Sequence, residues 1–139
     1  MKKIYCFGNP LLEEDNLALQ IADEMDGKLK GIEFVKCTGP DFLLGLDEKE
    51  IIIMDAVKGI KKPEIIEDLN KISQTKTATM HDFDLGTVLK LMKETGQLKK
   101  IMIIGLPMNG DENKIRKDVA DLLKSSWQFK GKSLNNKTA

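Results

Sequence analysis

Long apolar runs and an overall net charge are both missing from this chain of 139 residues. Its 22 Lys and Arg residues balance its 22 Asp and Glu residues, so the formal net charge is zero. A neutral chain has no overall field to draw it onto nucleic acid or an anionic membrane, and no apolar stretch approaches the length that spans a bilayer. The N-terminus also lacks the pattern of a secretory signal peptide. We therefore expect a cytoplasmic protein, with neither nucleic acid nor a membrane as a partner.

Cysteine is scarce, and several common catalytic motifs are absent. Cys6 and Cys37 are too far apart for a zinc ribbon or a Cys-x-x-Cys redox pair, so we expect both to pack as small buried residues. Gly8-Asn9-Pro10 lacks the three-glycine phosphate fingerprint, and no Walker lysine follows it. No Gly-x-Ser-x-Gly elbow occurs. These absences argue against dinucleotide binding, an organic cofactor and serine-triad chemistry.

The chain does contain short, almost wholly apolar runs, which predict strands buried on both faces of a parallel sheet. Helical stripes of apolar residues separate or follow them. The predicted strands are Ile4–Phe7, Ile51–Met54 and Ile101–Ile104, and the predicted helices contain Leu17 to Met25, Leu85 to Met92 and Ile115 to Leu123. This alternation predicts an α/β domain with a mostly parallel sheet. We expect one domain over residues 1–129 and a frayed polar tail over residues 130–139.

Three further segments have weaker patterns. Gly31 to Cys37 predicts a less buried strand, because Glu33 and Lys36 interrupt its apolar residues. Asp41 to Leu46 is compatible with a short helix. Pro63 to Ser73 fits a helical stripe and a strand equally well, so periodicity leaves its structure open.

Polar residues that follow the buried strands define the candidate site, since ligands of open parallel sheets bind at the carboxyl ends of the strands. These residues are Asp15, Asp55 and His81, the only histidine of the chain. Each has a structural alternative: a helix N-cap for Asp15, a turn cap for Asp55 and a packed imidazole for His81. Together, two carboxylates and one imidazole form a mixed oxygen and nitrogen site suited to nickel or zinc.

Four segments of the chain, in order, resemble the hydrogenase maturation endopeptidases. The opening is Gly8 to Asp15, in which Gly-Asn after a strand leads into an acidic cluster. The second landmark is the strand with Asp-Ala, Ile51 to Ala56, and the third is Thr79-Met80-His81 before a helix. The strand that closes on Gly-Leu-Pro, Ile101 to Pro107, is the fourth. The similarity spans about the first three-quarters of the chain.

That resemblance implies a fold, a reaction and a site. Members remove a C-terminal extension from the large-subunit precursor of nickel-iron hydrogenases after nickel insertion, and their fold is a three-layer α/β/α sandwich. The resemblance also implies a mostly parallel sheet of about five strands, one of them near Ile65. The residues that contact the metal, and that would be catalytic, fall on Asp15, Asp55 and His81, with the nickel carried by the substrate. Because Asn16-Leu17-Ala18 stands where many members have glycine, Glu14 is the alternative to Asp15, and Glu13 a remoter one.

Two other functions remain open from the sequence. A nickel-dependent assembly factor without catalytic activity would use the same fold and the same site. Peptidyl-tRNA hydrolases also open with a strand and Gly-Asn-Pro, but they place a histidine soon after it and favour a basic face. This chain has no histidine before His81 and no net positive charge.

Overall fold

Five strands form one mixed sheet in the protein. The computed structural model describes residues 2–8, 16–37, 39–57, 59–67 and 88–125. Its strands are β1 (Lys2–Phe7), β2 (Ile32–Cys37), β3 (Glu50–Val57), β4 (Glu64–Ile66) and β5 (Lys100–Pro107). Their order is β2-β1-β3-β5-β4, and only β4 runs antiparallel to its neighbour. The expected parallel strands and the sheet of about five members are confirmed.

The helical segments match the expected periodicity wherever the structure describes them. They are α1 (Leu17–Met25), a short 3-10 helix (Pro40–Gly45), α2 (residues 88–94) and α3 (Glu112–Ser125). Within the described ranges, no helix has the length and apolar character needed to cross a membrane. The predicted tail of residues 130–139, and residues 68–73 of the ambiguous segment, lie outside the described part of the chain.

Alternating side chains of the sheet build two apolar layers, because successive residues of a strand point to opposite faces. Strand residues such as Ile4, Met54 and Ile104 pack with α1 and α3 on one face. Their neighbours Tyr5 and Ile53 pack on the other face. That second layer also holds residues of the 3-10 helix, of α2 and of the turn after α2: Leu43, Leu89, Met92 and Leu98. Helices on both faces give the three-layer α/β/α sandwich that the resemblance implied.

The pairing of β3 with β5 extends further than the sequence suggested. The apolar run predicts a strand that ends at Met54, but the ladder continues through Asp55↔Gly105 to Val57↔Pro107. Asp55 therefore lies inside the strand and not beyond its end. Gly105 also faces Glu64 of β4, so the three residues form one row across the sheet.

Gly105 is the point of closest packing in this row. A Cβ placed there would lie 3.1 Å from Val57 Cγ2 and 3.2 Å from Ile60 Cδ1. Because these distances are shorter than ordinary van der Waals contact, any side chain at residue 105 has to displace its neighbours. Glycine therefore fits at this position beside Asp55 without crowding Val57 and Ile60.

Gly105→Ala should therefore lower the free energy of unfolding by about 1–3 kcal/mol through overpacking. Gly45→Ala is the matched control, since no atom lies within 4 Å of its Cβ position. Urea denaturation measures both changes. Equal stabilities of the two variants would show that the neighbours of Gly105 yield without cost.

Candidate active site

Asp55 is the one buried charged residue in the described part of the chain, with 2% of its surface exposed. Asp55 lies on the same face of β3 as Ile53 and Val57, since every second residue of a strand shares a face. That face is covered by α2. Its Oδ1 atom accepts a hydrogen bond from the Ala56 backbone N–H at 2.8 Å. A carboxylate is costly to bury in the interior of a protein, and such groups concentrate at functional sites.

The chain leaves β1 at the same level of the sheet. Cys6 of β1 pairs with Met54 of β3, so Phe7, where β1 ends, lies beside the level of Asp55. The segment that contains Asp15, Glu14 and Glu13 follows directly. The parallel pairing of β1 with β3 therefore brings the end of β1 and Asp55 to one edge.

The structure describes only one of the predicted site residues. Asp55 is described, whereas Asp15, Glu14, Glu13 and His81 lie outside the described residues. Among the residues that the structure does describe, no group of three or more His, Cys, Asp or Glu side chains is arranged to hold a metal ion. The three-residue constellation stays a prediction for which the structure supplies one member.

An open groove of about 640 Å³ lies at the same edge of the sheet. Its two sides come from the loops after β3, the central strand, and after its neighbour β5. The lining residues are Gly59, Ile60, Lys61, Met108, Asn109 and Gly110. The sequence patterns did not predict this groove, although a Met-Asn-Gly turn after a buried strand is a signal for such a loop.

The start of α1 is held by a polar contact that the sequence did not reveal. Gln20 donates from Nε2 to Asn16 Oδ1 at 2.6 Å, and its own Oε1 accepts from Arg116 Nη2 of α3 at 2.8 Å. The spacing of Asn16 and Gln20 is the available signal, since residues four apart in a helix are neighbours. Nothing in the sequence indicated that Arg116 would reach them.

The thiols and the buried phenol of the described chain are kept protonated. Burial raises the pKa of Cys6 well above its ordinary value and raises the pKa of Cys37 to about 11. Burial, and then the Glu48 carboxylate that accepts its O–H at 2.7 Å, also raises the pKa of Tyr5. Neither thiol is a thiolate nucleophile at neutral pH.

These observations define a class: a three-layer α/β protein with a buried carboxylate and an open groove at the carboxyl edge of its central strands. A family model described as hydrogenase maturation protease matches residues 23–128, more than half of the chain. The chain belongs to the hydrogenase maturation protease family. The matched range includes Asp55 and His81, whereas Asp15 precedes it. A comparison with curated protein sequences gives no match.

Solved structures share the fold. The hydrogenase-maturating endopeptidase HybD of Escherichia coli is 20% identical, with 91% of this chain and 94% of that chain covered and a TM-score of 0.61. The nickel-iron hydrogenase maturation protease HybD of Thermococcus kodakarensis is 20% identical, over 89% and 98% of the two chains, with a TM-score of 0.61. The endopeptidase HycI of Escherichia coli is 19% identical over 92% of each chain, with a TM-score of 0.61. The predicted family and its class of enzyme, an endopeptidase, are confirmed, and the peptidyl-tRNA hydrolase alternative is not supported.

The raised pKa values predict inert thiols in the folded protein. At pH 8, iodoacetamide should alkylate Cys6 and Cys37 far more slowly in the native protein than in urea, because both are buried and protonated. Mass spectrometry of timed samples measures the two rates. Rapid modification of either cysteine in the native protein would contradict this assignment.

Proposed function

We propose that the protein removes the C-terminal extension of a nickel-iron hydrogenase large-subunit precursor after nickel has been inserted. The proposed nickel contacts are Asp15, Asp55 and His81, and the nickel arrives as part of the substrate. The observation that carries the proposal is Asp55, a carboxylate 2% exposed inside the central strand of the sheet. Family membership supplies the reaction class, endopeptidase cleavage during hydrogenase maturation.

The chemistry of Asp55 suits a cation. A divalent ion offsets the cost of burying a carboxylate, and carboxylate oxygen with imidazole nitrogen is a donor set that nickel accepts. Because Asp55 is held within paired β3 and β5, its backbone is fixed by the sheet. A substrate that bears nickel would meet a carboxylate of defined position.

The connectivity supports the other two contacts. Asp15 is one residue before Asn16, whose backbone carbonyl accepts the first helical hydrogen bond of α1 from the Gln20 N–H at 2.9 Å. His81 is seven residues before residue 88 of α2, the helix that covers the face on which Asp55 lies. Both segments therefore lead into helices packed on the strands around Asp55.

The groove between residues 59–61 and 108–110 gives the precursor a path to these residues. With nickel bound by the site, the peptide bond to be broken is positioned next to the carboxylates. A water molecule attacks its carbonyl carbon, a carboxylate of the set accepts the proton of that water, and the same proton is passed to the leaving amine nitrogen. Positioning and proton transfer are thus the parts that this chain supplies.

The cytoplasm remains the proposed place of the reaction. Cys6 and Cys37 are both free thiols, as is usual for proteins of reducing compartments. The proposed partner is one large-subunit precursor with a C-terminal extension beyond its nickel site. A nickel-dependent assembly factor on the same fold is the alternative, and it would leave the length of the precursor unchanged.

The first test is selectivity for the loaded substrate. The protein should cleave nickel-loaded precursor and leave metal-free precursor intact, because the proposed contacts bind the metal and not the peptide. Intact-mass measurement of both forms after incubation with purified protein gives the cleaved fraction. Equal cleavage of the two forms would contradict the role of nickel, and no cleavage of either form would favour the assembly factor.

The second test separates the site from its structural alternatives, through Asp15→Asn, Asp55→Asn and His81→Ala made singly. If the three residues are only a helix cap, a turn cap and a packed imidazole, each substitution should lower the free energy of unfolding by roughly 0.5–2 kcal/mol and leave cleavage intact. A cation site gives the reverse pattern, because removing a carboxylate from a like-charged crevice relieves repulsion. We expect melting temperatures near that of the parent and a collapse of precursor processing.

Glu14→Gln is the control for which acidic residue is the ligand, since only one of Glu14 and Asp15 should behave as the principal contact. Thermal melting with and without added nickel or cadmium should show a metal-dependent rise in the parent that the three ligand variants lose. Processing at the parent rate by all three variants would overturn the site assignment and leave the family membership intact.

A further inference from the structure

We infer that Arg116 and Gln20 are positioning residues for the acidic segment of the site. They form a relay from α3 through α1 to Asn16, the residue that joins this segment to α1. This inference rests on the proposed function, because it requires Asp15, directly before Asn16, to be a nickel contact. The relay itself consists only of residues that the structure describes.

The guanidinium of Arg116 is held on several sides. Its Nε atom donates to Glu24 Oε1 at 2.7 Å, and its Nη2 atom donates to Gln20 Oε1 at 2.8 Å. Its Nη1 atom lies 3.5 Å from Glu112 Oε1. The Arg116 side chain is 23% exposed, so the group is partly shielded from solvent. A planar fork with that many partners has one preferred orientation.

Donor chemistry then gives the relay a direction. Arginine can only donate, so the Gln20 amide must turn its oxygen to Arg116 and its NH2 group to Asn16. Asn16 in turn must present its oxygen to Gln20, at 2.6 Å. The orientation of both side-chain amides is thus set by a residue of another helix.

This arrangement takes the Asn16 side chain away from the usual role of its position. Asn16 is the N-cap residue of α1, yet its side chain makes no capping hydrogen bond to the helix backbone. An asparagine at that position ordinarily accepts a hydrogen bond from the N2 or N3 backbone N–H. The relay replaces a local cap by a contact that ties the beginning of α1 to α3.

The relay is not what keeps α1 on the sheet. Leu17, Ala18, Ile21 and Ala22 of α1 pack in the same apolar layer as α3, and they hold the helix in place. Exposed and half-exposed ion pairs add little to stability. Loss of the relay should therefore leave the fold intact while it frees the residue that precedes Leu17. Partners behind a metal ligand typically change metal affinity or activity by about 10–100-fold.

The test uses Gln20→Met and Arg116→Met, which keep chain length and remove the polar contacts. Isothermal titration with Ni²⁺ alone should give a dissociation constant about 10–100-fold weaker than the parent, and kcat/KM for nickel-loaded precursor should fall by a similar factor. Melting temperatures should stay within a few degrees of the parent. All assays are made at a temperature where every variant is fully folded.

Two further variants separate positioning from packing. Gln20→Glu still accepts from Arg116 and can pair with a flipped Asn16 amide, so it should restore most of the affinity that Gln20→Met loses. Glu112→Gln changes only the exposed partner of Arg116 and is the matched control, expected to bind and cleave as the parent does. If Gln20 merely packed, methionine would serve as well as glutamate.

The outcomes distinguish this inference from the proposed function. If Gln20→Met and Arg116→Met bind Ni²⁺ and cleave precursor as the parent does while Asp15→Asn is inactive, the relay is overturned and the site stands. If Asp15→Asn is fully active, the site assignment fails and the inference fails with it. Losses equal in Gln20→Met and Gln20→Glu would also overturn the relay.

Discussion

The parallel pairing of β1, β3 and β5 is the constraint on which the rest of the molecule depends. Each of these strands is apolar on both faces, so the sheet is stable only when helices cover both sides. Parallel neighbours also end at the same edge, which brings the end of β1, Asp55 and the groove to one side of the sheet. The burial that stabilises the fold and the placement of the site therefore have the same cause.

Asp55 shows how this constraint acts on a single functional group. A carboxylate at the end of a strand would be solvated, but the ladder between β3 and β5 continues two residues beyond Asp55 and keeps it inside. Gly105 pairs with Asp55 in this ladder, and a Cβ there would press on Val57 and Ile60. The residue without a side chain and the buried carboxylate are thus direct partners across β3 and β5.

Sequence patterns predicted the elements whose burial is uniform. The runs at Ile4, Ile51 and Ile101 have no helical alternative, because they are short, rich in β-branched residues and apolar on both faces. The segment around Ile65 was undecided because only three of its residues form a strand, and its apolar residues fit both periods. The position of Asp55 after an apolar run predicts it as a site residue. Its burial could not be predicted, because the length of the β3–β5 ladder depends on the partner strand.

The relay could not have been predicted either, and the physical reason is a different one. Arg116 and Gln20 are separated by 96 residues, and their contact depends on how α3 is rotated against α1. An apolar stripe predicts which face of a helix is buried but not how far the helix turns or slides within its layer. Polar contacts at the border of the layer select one such position.

The apolar and the polar contacts of α1 therefore contribute to the molecule in different ways. Apolar packing of α1 against the sheet contributes most of the free energy that holds the helix, and it tolerates small shifts because apolar contact has no direction. The contacts of Gln20 and Arg116 have strict donor and acceptor geometry and contribute little free energy at a half-exposed position. Under the proposed function, a residue that contacts the nickel of the substrate needs the second kind of contact. Variants that leave melting unchanged are, for this reason, the informative ones at the site.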